Sequence, residues 1–232
     1  VGVDLVRLER SRSAPTWTFP HAIRLSDSEL GRLNEMSSYS EEQHQWLRRK
    51  GAVDPVDTNI KIVVHGNRDR PVRIVDMKVV PRCGAPLSGT LFESPTAGSE
   101  ESVQLGFDLD EESPRARTIV NKSRWGGDYF QRKTISLKRD EEIAFQVLAR
   151  TLKHYCEFSL ALEILDNGTL VRQAIDDHGK PFKVSALRTR PDEYGTPATD
   201  YAAYREVYVG GLMNLENDGK WRREDPGARR PA

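Results

Sequence analysis

From residue 58 onward, apolar and polar residues alternate with a period of two. Ile60, Ile62 and Val64 are separated by Lys61, Val63 and His65, the pattern of a strand with one face toward a core. After the insert His65-Gly66-Asn67-Arg68-Asp69-Arg70-Pro71 the alternation resumes at Val72 and Ile74, then changes parity to Val75, Met77 and Val79. That change predicts a bulge near Ile74. Further runs carry Val103, Leu105, Phe107 and Leu109, then Ile135 and Leu137, then Ile143, Phe145, Val147 and Ala149. A last long run places Cys156, Phe158, Leu160, Leu162 and Ile164 on one face, and Asn167-Gly168 then predicts a tight hairpin leading into "LVRQAI". The segments "RCGAPLSG", "ESPTAGSEE", "DEESPRA" and "DDHGKP" supply the turns. The pattern predicts a mainly β protein, an immunoglobulin-like antiparallel β-sandwich of about seven to nine strands.

Before residue 58 the period is helical. "VGVDLVRL" reads as an edge strand and "ERSRSAPTWTFP" as a connector. Ser26 and Glu29 have the spacing of a capping box, and Leu30 and Leu33 share one helix face. Ser40 and Gln43 repeat the box, Arg48, Arg49 and Lys50 end the second helix in accord with its dipole, and Gly51 suits its C-terminal cap. Two such short helices need a surface to pack on, and the sandwich is the expected one. Residues 186–232 lack a sustained period. They read as loop, a short helix or strand near 201–209, and a polar tail ordered only where a partner holds it. The expected organisation is therefore 1–57 for the edge strand, connector and helices, 58–185 for the sandwich, and 186–232 for the extension.

Charge narrows the partners. Lys+Arg and Asp+Glu are both 35 in 232 residues, so the net charge is zero and no broad basic field for nucleic acid is expected. No apolar run is long enough to span a bilayer and no signal peptide is visible. The opening Val1 in place of Met reads as a trimmed or processed fragment. The two cysteines, Cys83 and Cys156, form no CxxC pair. Lying at or near predicted strands, they are expected to staple two sheets or two neighbouring strands in an oxidising compartment, the alternative being two buried thiols.

Candidate chemistry is sparse. The carboxylates of Asp108, Asp110, Glu111 and Glu112 lack the loop spacing of a calcium site and read as a solvated strand end. The five histidines show no metal-ligand spacing, and no cofactor is expected. His154 with Cys156, and Asp177 with His178, are the only pairings that resemble a hydrolytic site, and neither accompanies a nucleophile elbow. The insert at 65–71 reads mainly as a strand connection, with Gly66 and Asn67 free to adopt unusual angles and Asp69 paired with Arg68 or Arg70. Its tip, with Asn67, Arg68 and Arg70, is a candidate contact surface. Trp125, Tyr129 and Phe130 are a second candidate, as a groove lining or an end plug. Tyr204 and Tyr208, with Tyr201 and Trp221, make the extension a third, as a strand added to a partner's sheet. Asn121-Lys122-Ser123 and Asn167-Gly168-Thr169 match the N-glycosylation acceptor pattern.

The segments "GNRDRPVRIVDM", "CGAPLSGTLF", "LGFDLDEESPRA", "YFQRKTISLKRDEEIAFQVLARTLKHYCEFSLAL" and "DDHGKPF", from about residue 59 to residue 183, resemble a group of actinobacterial proteins of uncharacterised function. These carry an N-terminal membrane-spanning segment followed by a domain of this kind. The resemblance implies an extracytoplasmic domain tethered to the membrane through a segment outside this chain, and transfers no activity, substrate or catalytic residue. The expected function is a non-enzymatic protein-interaction or structural module. A carbohydrate- or cell-wall-binding domain, and a hydrolase using His154 or His178, are the alternatives. Partner identity and oligomeric state have no signature in the sequence.

Overall fold

The computed structural model describes residues 1–9, 16–38, 40–94, 105–121, 124–211, 214 and 217–229. Val103, residues 95–101 of the "ESPTAGSEE" turn and the Lys122-Ser123 part of one acceptor pattern lie outside them. The chain begins with β1 (Gly2–Glu9) and β2 (Trp17–Phe19), followed by α1 (Asp27–Glu35) and α2 (Glu41–Arg49). The strands β3 (Asp54–Pro55), β4 (Asp57–His65), β5 (Val72–Gly84), β6 (Thr90–Glu93) and β7 (Leu105–Asp108) come next. Then follow β8 (Arg117–Asn121), β9 (Arg124–Asp128), β10 (Ile135–Leu137), β11 (Glu142–Arg150), β12 (Tyr155–Asp166), β13 (Thr169–Ile175) and β14 (Phe182–Ser185). The last part holds β15 (Thr189–Pro191), β16 (Pro197–Thr199), a 3-10 turn over Tyr201–Ala203, β17 (Glu206–Val209) and β18 (Arg222–Glu224).

Two six-stranded sheets form a sandwich. One runs β1-β4-β11-β7-β8-β9; the other runs β10-β5-β12-β14-β3, with β13 also paired to β12. The alternating residues meet between them: Ile60, Ile62 and Val64 from one sheet pack with Val72, Ile74, Phe158, Leu160 and Leu162 from the other. The sandwich exceeds the expected strand count. Its pairing is antiparallel except at β7–β11 and β3–β14. Ile74 faces Ile164 and Asp76 faces Glu163, which leaves Val75 as the extra residue of the expected bulge. Asn167 and Gly168 both have positive φ, 48° and 81°, as a type I′ hairpin requires.

The 65–71 insert carries the chain from the first sheet, at β4, to the second, at β5. Its conformation differs from expectation, since neither Gly66 nor Asn67 has positive φ. Gly66 is demanded by close approach instead: a Cβ there would fall 2.0 Å from the Lys138 carbonyl oxygen. The Gly66 N–H donates to the Glu141 carbonyl and its own carbonyl accepts from Asp140. Asp69 pairs with Arg139 at 2.5 Å, and Arg68 with Asp166 at 3.4 Å. The crossing is thus tied to its surroundings and not to itself.

The apolar faces of the helices do not pack on the sandwich, which α2 meets through the Arg48–Asp54 ion pair. They cover a third sheet, β18-β17-β6-β2, assembled from three distant parts of the chain. Leu33, Met36, Trp46 and Leu47 bury Trp17, Phe19, Phe92, Tyr208 and Trp221 on one face. Leu91, Val207 and Val209 meet Tyr201 and Tyr204 on the other. The described residues after 186 are therefore not a loose polar tail. Trp221 is sequestered, and its backbone exchanges two hydrogen bonds with the Asn34 side chain of α1, at 2.6 and 3.0 Å. The Ser26–Glu29 capping box forms as expected, while Ser40 caps α2 by accepting from the Gln43 N–H. Thr18 and Val53 exchange backbone hydrogen bonds beside β3, which joins the third sheet to the edge of the sandwich.

Candidate functional site

Among the described residues β1 is an edge strand, paired to β4 along one side only. Its register sets Val3 against Val64, Val6 against Ile62 and Leu8 against Ile60, so these three side chains point to the core side of the sheet. The opposite sheet covers them incompletely, because it ends there at β13. The result is a groove made of two depressions that meet at Val6 and His178. The smaller, about 270 Å³, lies between Val3–Val6 and the end of β13. The larger, about 400 Å³, lies between Val6–Leu8, the Glu41, His44, Gln45 and Arg48 face of α2, and Asp177 and His178.

Local sequence chemistry fixes each wall. Glu41, His44, Gln45 and Arg48 recur at helical spacing and so share a face. Arg48 is clamped by both carboxylate oxygens of Asp54 at 2.8 and 2.9 Å, and it stands 5.0 Å from the Trp17 ring. His44 meets the same ring edge-on. The opposite wall is a two-residue turn: Asp177 and Lys180 exchange backbone hydrogen bonds, while His178 and Gly179 have φ of 53° and 84°. A left-handed histidine is conformationally costly, and Asp176 offsets part of that by accepting the Gly179 N–H. The groove joins an apolar floor to polar walls of both signs, beside a strand with an unpaired backbone edge. Six residues, 3–8, would run alongside about 20 Å of extended peptide.

The residues singled out in the sequence fall elsewhere. Cys83 and Cys156 are direct cross-strand partners on β5 and β12, 4.1 Å apart at Cα, and form a disulfide. The bond staples neighbouring strands of one sheet, and it removes Cys156 as a nucleophile beside His154. A disulfide suggests an oxidising, extracytoplasmic environment. Asn67, Arg68 and Arg70 are exposed on the crossing between sheets. Trp125 is half-buried on β9, with the Arg150 guanidinium 6.0 Å from its ring. Tyr129, 8% exposed, and Phe130 meet edge-on and pack against the core, so the three aromatics do not lie side by side in solvent.

Tyr204 and Tyr208 are 3% and 0% exposed and present no contact surface. Tyr208 is interior because it lies on β17, a central strand of the third sheet flanked by β6 and β18, and Tyr204, just before that strand, packs with Leu91, Val207 and Val209. The Tyr204 hydroxyl accepts the Arg188 N–H and the Tyr208 hydroxyl accepts the Leu25 N–H, both at 2.9 Å. Burial pushes the Tyr204 phenol up to about 12. The Asp110 carboxylate accepts from the Thr151 hydroxyl and the Leu152 N–H, tying one turn to another. Among the described residues no cluster of three or more His, Cys, Asp or Glu side chains is placed to hold a metal ion, and no helix is long and apolar enough to cross a membrane.

Sequence reading noted His178 but missed its companions Arg7, His44 and Arg48. The available signal was the polar face of α2, which the capping pattern had already placed on a helix. The fold and the staple define a disulfide-linked, mainly β sandwich protein with an appended helix-covered sheet. Comparison with protein-family models, with curated proteins and with solved structures yields no match.

Proposed function

We propose that this chain is a non-enzymatic, extracytoplasmic interaction domain that seats an extended segment of a partner protein in the groove beside β1. The observation that carries the reading is the edge of β1, unpaired among the described residues, which runs along a groove of about 400 Å³. Strand addition to such an edge draws its affinity from main-chain hydrogen bonds and its selectivity from the adjoining depressions. The disulfide supports the compartment. The resemblance of residues 59–183 supports a membrane tether supplied by a segment outside this chain.

The test compares capture from a cell-envelope extract by the wild-type chain and by a Val3→Lys/His178→Asn variant. Asparagine tolerates the left-handed conformation at 178, so unchanged thermal unfolding is the control. The expected result is a protein partner whose retention falls about tenfold or more in the variant, the effect of losing interface side chains that matter. Equal retention by both proteins refutes the groove. Retention that survives protease treatment of the extract and disappears on digestion of the cell wall favours the carbohydrate-binding alternative instead.

A further inference from the structure

The β15–β16 hairpin holds one aromatic ring in solvent on a rigid support. Tyr194, at its tip, is 84% exposed, more than any other large hydrophobic side chain among the described residues. The tip is fixed by backbone and side chain together. The Asp192 N–H donates to the Thr196 carbonyl, and the Gly195 N–H donates to the Asp192 carbonyl. Asp192 Oδ1 accepts the N–H groups of Tyr194 and Thr196, at 2.8 and 2.7 Å. Gly195, with φ of 80°, makes the reversal, and Pro191 faces Pro197 across the strands. The base is equally anchored. The Asp200 N–H donates to the Arg188 carbonyl, and the Arg188 N–H donates to the buried Tyr204 hydroxyl.

An aromatic ring left in water adds nothing to the core, yet here its backbone has already lost its freedom. That is the condition under which a projecting side chain binds well, since the ordering cost falls on folding and not on association. The neighbouring Glu193 is exposed and has no cation within ion-pair distance among the described residues, so the tip is an apolar ring beside an unneutralised carboxylate. We propose that the hairpin is an anchoring arm which inserts Tyr194 into an apolar pocket with a basic rim on a partner protein. The inference rests on the reading of the chain as a protein-interaction domain, but uses a surface separate from the groove.

The experiment replaces Tyr194 with a photo-crosslinking phenylalanine in the full chain, expressed in its own cells. The control places the same group at Leu152, which is 66% exposed on another loop. The expected result is a discrete crosslinked species from position 194, absent from position 152, that contains a second, different protein. Excess unlabelled wild-type chain suppresses it, while Tyr194→Ala chain is needed in about thirty-fold greater amount, the loss typical of a hot-spot side chain. Glu193→Lys chain competes poorly too. No discrete species at 194, the same species from both positions, a crosslink only to another copy of this chain, or equal competition by Tyr194→Ala overturns the proposal. A partner lost by the Val3→Lys/His178→Asn variant but never crosslinked at 194 refutes the arm and leaves the groove standing.

Discussion

Glu206 keeps its charge where almost no water reaches: its side chain is 3% exposed, and guanidinium groups of Arg24 and Arg223 reach it at 2.5 and 2.6 Å. Burial alone would raise its pKa, but the hydrogen bonds from Arg223 and Arg24 outweigh it and hold the carboxyl below its ordinary value of 4.5. A carboxyl depressed in the folded state stabilises the fold above its unfolded pKa, and that contribution disappears as pH falls through the folded one. Glu206→Gln should therefore lose about 2 kcal/mol at pH 7, the scale of hydrogen bonds to a charged group. The gap from wild type should close as the pH falls below about 4. Urea unfolding at pH 7, 5 and 3 checks it, and a gap unchanged at pH 3 would contradict the assignment. Gly66 makes a different point at this scale. Its requirement comes from the Lys138 carbonyl and not from its own φ, so Gly66→Ala should push two backbones apart and lower the unfolding temperature. Nothing local to "HGNRDRP" reveals this, because the clash is with residues seventy positions away.

Elements were legible where their period was sustained. β4, β11 and β12 alternate over nine or more residues, and each lies where the pattern put it, as does the bulge in β5. The capping box of α1 was equally readable, because its chemistry is confined to four residues. β17 was not. All four of its residues are buried, so it shows no alternation, and its neighbours in the sheet are supplied by segments more than a hundred residues upstream and by β18. The groove escaped for a similar reason: β1, α2 and the 176–180 turn each look ordinary until the topology brings them together. The staple between β5 and β12 closes a separation of 73 residues, which in the chain-entropy account contributes about 4 kcal/mol. Paired Cys83→Ala and Cys156→Ala substitutions should lower the stability measured by denaturant titration by up to about that amount. The native wild-type chain should resist alkylation until reduced, as intact mass would record.

At the scale of the molecule, the described residues form a sandwich core and a core on each face of the third sheet, and these draw on different parts of the chain. All strands of the sandwich lie between residues 2 and 185, whereas the third sheet takes β2, β6, β17 and β18 from across the sequence. Truncation after residue 200 should leave the disulfide intact but strip α1 and α2 of Tyr208 and Trp221. The helical circular dichroism signal should fall, and limited proteolysis should cut between residues 20 and 50. Trp221→Ala should do the same more mildly, at a loss of about 3–5 kcal/mol; protection of the helices in either variant would show that they have another support. The same arrangement governs how the protein is made. A polypeptide leaving the ribosome or a translocation channel presents every sandwich strand, and both cysteines, before β17 and β18 appear. The apolar faces of α1 and α2, made well before β17 and β18, must wait for Tyr208 and Trp221 to complete their cover. They are the surfaces a chaperone would meet during that interval.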